Sequence, residues 1–273
     1  QTTNIKSTEL IPGRALLLTT KWHNSERFTL LNIYAPNDYG EHPDFWDKVT
    51  TALIQAGNPQ VDFMVGDFNI VEEALDCSPP RLDPTGATNA LRAFRLHFGL
   101  VDGWRHDNPT ERAYTYTSSS HHFSCIDRIY TRIPHLPNIR DWTKGPSEIP
   151  SDHSMLSLRF SPTNATYIGP GRWTWPLGLL HDSDLLAEAI ELGMTLQEKL
   201  QSVTLARNNG HNAQILWEDY KTQITQICKR HAKVTLAKIN RRITQLKKDI
   251  SRTTNRTDMD TAEEVRSNAA FLQ

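Results

Sequence analysis

Apolar runs of strand length fill the chain as far as Phe160, and none follows them. Arg14-Ala-Leu-Leu-Leu-Thr-Thr20 and Phe28-Thr-Leu-Leu-Asn-Ile-Tyr34 are too short for core helices and predict buried strands. His23-Asn24-Ser25-Glu26 between them predicts a hairpin turn. Residues 43–54 predict a helix, with Pro43 at its start and Phe45, Trp46, Val49, Leu53 and Ile54 on one face. Residues 61–65 form another strand-like run. Residues 89–98 place Leu91, Phe94 and Phe98 on one helical side, and Gly99 can terminate them. Residues 124–130 and 155–160 complete the strands. Such strands with interleaved helices imply an α/β layered domain over residues 1–160.

The pattern then changes. Residues 161–172 are rich in Pro, Gly and small polar side chains, and residues 161–180 predict a linker. Residues 181–273 predict a helical connector, with helices over 184–201 and 212–250. Ile215, Ile224, Ile227, Val234, Ile239, Ile243 and Leu246 form the apolar stripe of the second helix. Residues 253–267 are polar and predicted to be weakly structured. Charge follows the same division. The whole chain is nearly neutral, with 30 Lys and Arg against 31 Asp and Glu. The part up to Phe160 carries a net −4 and the remainder a net +3. Between Lys221 and Lys248 every charged residue is Lys or Arg. Lys229, Arg230, Lys233, Arg241 and Arg242 in this block are candidate nucleic-acid contacts, although a solvated helix face has the same composition.

Cys77, Cys125 and Cys228 are too few and too scattered for a disulfide framework or a zinc site, which fits a reducing compartment. No apolar run approaches the roughly 20 residues that cross a bilayer, so no membrane partner is expected. The N-terminus has no signal-peptide pattern and no initiator Met, which is the expectation for a fragment or a processed product.

Three short motifs lie at strand ends. Gly66-Asp67-Phe68-Asn69 follows a strand, and its carboxylate and carboxamide, two positions apart, can orient water and hold a phosphate oxygen. Ordinary turn chemistry gives the same pattern. In Ser124-Cys-Ile-Asp127-Arg-Ile-Tyr130, Asp127 interrupts an apolar strand and needs a partner, a histidine or a cation, or else a structural pair with Arg128 or another arginine. Ser151-Asp152-His153 offers an imidazole that titrates near neutral pH and works best when a carboxylate orients it.

In this order, with Asn32-Ile-Tyr34-Ala-Pro36-Asn37 and Tyr114-Thr115-Tyr116, the motifs resemble the endonuclease/exonuclease/phosphatase superfamily. The likeness is specifically to the apurinic-endonuclease-like domain of non-LTR retrotransposons. Pro12 to Leu18 and Leu100-Val-Asp-Gly-Trp104 look like fungal retroelement versions. The resemblance covers about residues 10–160. It implies a partial four-layered α/β sandwich followed by an α-helical extension. It also implies Mg²⁺- or Mn²⁺-dependent cutting of DNA phosphodiesters, inside the cell and in the nucleus. It casts His153 at the scissile phosphate or the water, Asp127 as its orienter and Asp67 as the group that positions or deprotonates water. Asn69 and Tyr34 hydrogen-bond phosphate oxygens. Asp67, Asn69 and Asp152 stand in the metal neighbourhood. The helical part corresponds to a connector toward a reverse transcriptase, whose Tyr-x-Asp-Asp motif is missing here.

Two departures are expected to matter. Relatives carry a strand-ending Asn and a metal-binding Glu well before the Tyr34 segment. Only Gln1 to Ile33 precede Tyr34 here, and Glu9 reads as a strand-edge residue. The main metal ligand is then missing, activity is expected to be impaired, and an inner sheet face is left without its packing layer. Cys125 stands where relatives often carry a basic residue. The alternatives are a non-catalytic nucleic-acid-binding remnant, or a relative of DNA-repair apurinic endonucleases.

Overall fold

The computed structural model describes residues 3–22, 26–146, 149–161, 171–203 and 212–272. Most of the expected hairpin turn, His23 to Ser25, and most of the expected linker loop, residues 162–170, fall outside them. The chain forms two compact units, Gln1–Thr166 with Asp249–Gln273, and Tyr167–Lys248.

The first unit is α/β. Strands β1 (Thr3–Ile11), β2 (Ala15–Lys21) and β3 (Arg27–Tyr34) run antiparallel. Helix α1 (His42–Gln55) then crosses over to β4 (Phe63–Asp67), which pairs parallel to β3, as a helical crossover requires. After β5 (Cys77–Ser78) come α2 (Thr85–His97), β6 (Leu100–Asp102) and α3 (Gly103–Asp107), then the short β7 (Tyr116–Thr117) and β8 (Phe123–Ser124). Strand β9 (Asp127–Arg132) inserts between β4 and β6, giving the order β1-β2-β3-β4-β9-β6. A hairpin of β10 (Ile139–Pro146) and β11 (Ser154–Phe160) forms a second sheet, and β5-β8-β7 form a third.

Period-two alternation explains the main layer. Ala15, Leu17, Leu31 and Ile33 point to one face and bury against Trp46, Val49 and Leu53 of α1 and Leu91 and Phe94 of α2. The opposite face carries an aromatic cluster in which Phe160 of β11 meets Trp22, Phe28 and Phe63. Beside it, Ile5, Leu18, Trp22, Phe28 and Leu30 line an open apolar groove of about 330 Å³. Glu9 lies exposed on the edge strand β1, and its carboxylate accepts from the Gly13 N–H of the turn to β2.

In the second unit α4 (Ser183–Val203) packs on α5 (Ala213–Thr254) through Leu185, Ile224, Cys228 and Ala232. His231 bridges Asp182 and Glu188 at 3.2 and 3.0 Å, and Arg230 also pairs with Glu188. None of the described helices is long and apolar enough to cross a membrane.

Several elements carry weak sequence signals. Strand β10 has a Pro and a Gly, and β7 and β8 are very short. Helix α6 (Glu263–Leu272), which belongs to the first unit, begins within the stretch expected to be weakly structured and takes up its last five residues. It orders because Met259, Val265 and Ala269 bury against Tyr114 and Phe123. Asp260 accepts from both terminal guanidinium nitrogens of Arg112, at 3.0 and 2.7 Å, and from the Ser78 hydroxyl at 2.8 Å. A few apolar anchors and one bidentate ion pair outweigh the polar composition.

Gly66 sits in β4 at φ +135°, and a Cβ there would lie 1.8 Å from the Ile33 carbonyl oxygen. Gly66→Ala is therefore expected to destabilise the first unit by roughly 3 kcal/mol or more, through strain and forced separation of β3 from β4. Urea unfolding followed by tryptophan fluorescence measures the loss, and an unchanged midpoint would contradict the geometry.

Candidate active site

Parallel pairing of β3 with β4 sets Tyr34 opposite Asp67, and antiparallel pairing of β4 with β9 sets Asp67 opposite Asp127. Three motifs that are distant in sequence thus end at one edge of one sheet. The chain leaves β4 through Asn69 in a left-handed conformation, φ +52°, a region that Asn tolerates. Asp67 Oδ1 accepts from the Asn69 backbone N–H at 2.9 Å. The Asn69 carboxamide donates to the Ala35 carbonyl and to Asn37 Oδ1, both at 2.9 Å. The Asn32–Asn37 and Gly66–Asn69 segments are therefore locked together. Tyr34 stays exposed with the Arg14 guanidinium over its ring, 4.7 Å from the centroid.

His153 is placed by β-type pairing. It bridges to Tyr116, and Ser154 N–H donates to the Thr115 carbonyl at 2.6 Å. Thr115 also accepts at its hydroxyl from the backbone N–H groups of Ile126 and Asp127, at 3.2 and 3.0 Å. The same buried residue thus fixes the stretches that carry Asp127 and His153. The two side chains meet, with Asp127 Oδ2 2.9 Å from His153 Nδ1. This leaves Nε2 as the ring atom free of that bond. Arg128 takes different partners: its guanidinium lies 2.5 Å from Asp76 and from Asp102. Of the partners open to Asp127 in the sequence, the histidine is the one it has.

Asp67, Asp127 and His153 each present a ligand atom within 4.8 Å of the others. Burial, with a smaller push from the Asp127 charge, raises the Asp67 carboxyl above the ordinary carboxylate value despite the Asn69 hydrogen bond and His153. Burial lowers the His153 pKa, but hydrogen bonding and attraction to Asp127, then Asp67 and Asp152, outweigh it and the net shift is upward. The cluster thus sets two carboxylates around one imidazole.

Asp67 and His153 border an open polar cleft of about 490 Å³. Tyr34, Asp67, Asn69, Asp152 and His153 line it, with Arg81 at the wall, where buried Asp83 holds the guanidinium at 3.2 Å. Asp152 lies exposed on the rim, outside the three-residue cluster. Lys229, Arg230, Lys233, Arg241 and Arg242 lie on α5 in the other unit, and Arg230 is spent on Glu188. Cys125 is buried and its thiol is pushed up to about 12 by burial, so it is inert as a nucleophile. Sequence reasoning gave no role to Thr115, Asn37 or Arg81. Thr115 and Asn37 stood inside the quoted motifs, and for Thr115 the hydroxyl between two tyrosines was the available signal. Nothing local distinguished Arg81.

Among known proteins, a transposon protein is a sequence relative. It is the uncharacterized 149 kDa protein of transposon TX1 from Xenopus laevis, 31% identical over 160 residues. That match takes in 58% of this chain and spans only 12% of the relative. No family model matches the chain. Among solved structures it is similar to the endonuclease domain of TRAS1, a telomere-specific non-LTR retrotransposon. The two share 14% identity at a TM-score of 0.45, over 58% of this chain and 70% of that one. An AP endonuclease from Archaeoglobus fulgidus gives 20% identity and a TM-score of 0.47, over 59% and 72%. A 3′-5′ exonuclease from Neisseria meningitidis gives 17% and 0.47, over 58% and 71%.

Because its folded pKa is raised, protonated His153 adds stability that is complete below the ordinary value near 6.5 and is lost as pH rises through the raised value. NMR titration of the His153 ring should report a midpoint above the ordinary histidine value, and Asp127→Asn should lower it. An unchanged midpoint in Asp127→Asn would show that the pair is not formed in solution.

Proposed function

We propose that this chain belongs to the nicking endonuclease of a non-LTR retrotransposon and carries the later part of its phosphodiester-cutting domain. The observation that carries this reading is the Asp127–His153 pair at 2.9 Å, clustered with Asp67, while Asp67, Asn69 and His153 together line one polar cleft. The ordered motifs and the transposon relative support it. DNA is the proposed substrate and the nucleus the proposed place of action. A reverse transcriptase elsewhere in the same polyprotein is the proposed partner.

The donor set fits a hard divalent cation. It offers carboxylates and a carboxamide but no thiolate, and burial together with the Asp127 charge raises the Asp67 pKa. Mg²⁺ or Mn²⁺, held by Asp67 with Asn69 and Asp152 at the margin, would supply charge neutralisation at phosphate oxygens. The chain's own side chains do the rest. Asp127 holds the His153 ring by Nδ1, so Nε2 can meet the scissile phosphate or a water proton. Asp67 can take a proton from water, a role its raised pKa favours. The Asn69 carboxamide is held rigid by Ala35 and Asn37, and Tyr34 is exposed at the cleft. Both can donate to phosphate oxygens as charge builds there. Arg81 offers a further phosphate contact at the cleft wall.

The test is nicking of supercoiled plasmid with Mg²⁺, by this chain within its complete reading frame. His153→Ala and Asp67→Ala are each expected to lower the rate by about 10²-fold or more, as loss of a positioned acid or base does. Nicking that survives both substitutions would overturn the assignment. Preference for an abasic duplex over an intact one would instead favour a repair enzyme.

A further inference from the structure

Helix α5 continues well past the point where α4 covers it. The α4 contact ends at Ala232, beside the His231 that holds Asp182. Beyond it, Leu236, Ile239, Ile243 and Leu246 continue from Ala232 in alternating steps of four and three. That spacing is a coiled-coil seam, with Leu236 and Ile243 in one core position and Ala232, Ile239 and Leu246 in the other. Leu236, Ile239 and Ile243 are 42, 47 and 44% exposed, and none of these three belongs to a buried cluster. Lys233, Arg242 and Lys247 flank the seam, all exposed, and none has an ion-pair partner among the described residues; Lys238, Arg241 and Lys248 add positive charge farther round the helix.

We propose that an acidic amphipathic helix of a protein partner docks along this seam of α5, over residues 232–248. Two observations define the occupant. The charges that flank the seam are all positive, so a second copy would set Arg242 against Lys247 and repel, whereas Glu or Asp at those positions would pair. The preceding turns of α5 already show the recognition mode. There α4 buries Leu185 against Ile224, Cys228 and Ala232, while its Glu188 pairs with Arg230 and His231. The partner helix repeats that arrangement further along.

Nucleic acid fits this stretch less well, despite its charge. Residues 221–254 contain no Phe, Tyr or Trp, so the stacking platforms of single-strand binders are missing. Phosphates would also leave the aliphatic seam uncovered. The absence of aromatic side chains likewise disfavours insertion into a lipid surface.

Calorimetry on the full chain tests the proposal. The probes are a synthetic four-heptad helix with Leu and Ile in its core positions and Glu flanking them, and the same peptide with Lys for Glu. The Glu peptide is expected to bind, and to lose about tenfold in affinity in Ile239→Ser/Ile243→Ser and in Arg242→Glu/Lys247→Glu. The charge-swapped variant should gain affinity for the Lys peptide. Because the seam variant can perturb folding, the charge-swapped variant, monitored by circular dichroism, carries the test alone if needed. Equal binding of the two peptides would overturn the proposal. So would self-association of the chain through the seam, or binding of single-stranded RNA or anionic vesicles that the seam variant abolishes.

Discussion

The site depends on what Thr115 does at the junction of three chain segments. Its hydroxyl accepts two consecutive backbone N–H groups, those of Ile126 and Asp127, and its carbonyl accepts from Ser154. Its own N–H donates to the Ser124 carbonyl. It is almost wholly buried, so each of these groups would be costly to leave unpaired. One threonine thus fixes the entry to β9 and the entry to β11 relative to each other. Asp127 and His153 meet because of it. The second anchor is the contact of Asn69 with Ala35 and Asn37, which sets the β4 exit against the β3 exit. Strand pairing then brings both anchored pairs to the same sheet edge.

Electrostatics follows from this placement. Arg128, the cation next in sequence to Asp127, is turned to the other side of the sheet layer. There Asp76 and Asp102 neutralise it, and Arg105 shares Asp76. Were Arg128 to face Asp127 instead, the carboxylate would lose its hold on the imidazole. The strand alternation therefore separates a structural ion network from the candidate site within two adjacent residues. On the site's side the cluster holds two carboxylates and the His153 imidazole, with Arg81 farther along the cleft wall.

The part of the fold legible in the sequence is the part written in strong patterns. The alternation in β2 and β3, the one-sided helices α1 and α2 and the glycine at the β4 exit are each visible there. So are the motif residues of the site. Three things are hidden. The Asp127 partner is ambiguous, because sequence cannot say which face of β9 a neighbouring arginine takes. The stretch 253–267 is mostly polar, and nothing local says that Met259 and Val265, with Ala269 beyond, find a buried surface far back in the chain around Tyr114 and Phe123. The extent of the first unit is hidden for the same reason, since Asp249–Gln273 joins it through long-range contacts. Local pattern predicts local structure, and contacts between remote segments lie beyond it.

In the proposed reading, Asp67, Asn69, Asp127 and His153 form one site able to hold a divalent cation. Paramagnetic broadening of the ¹⁵N-labelled chain during titration with Mn²⁺ tests this directly. The account predicts selective broadening centred on these four residues and the neighbouring Asp152, spared in Asp67→Asn. Broadening centred elsewhere, or identical in Asp67→Asn, would contradict it.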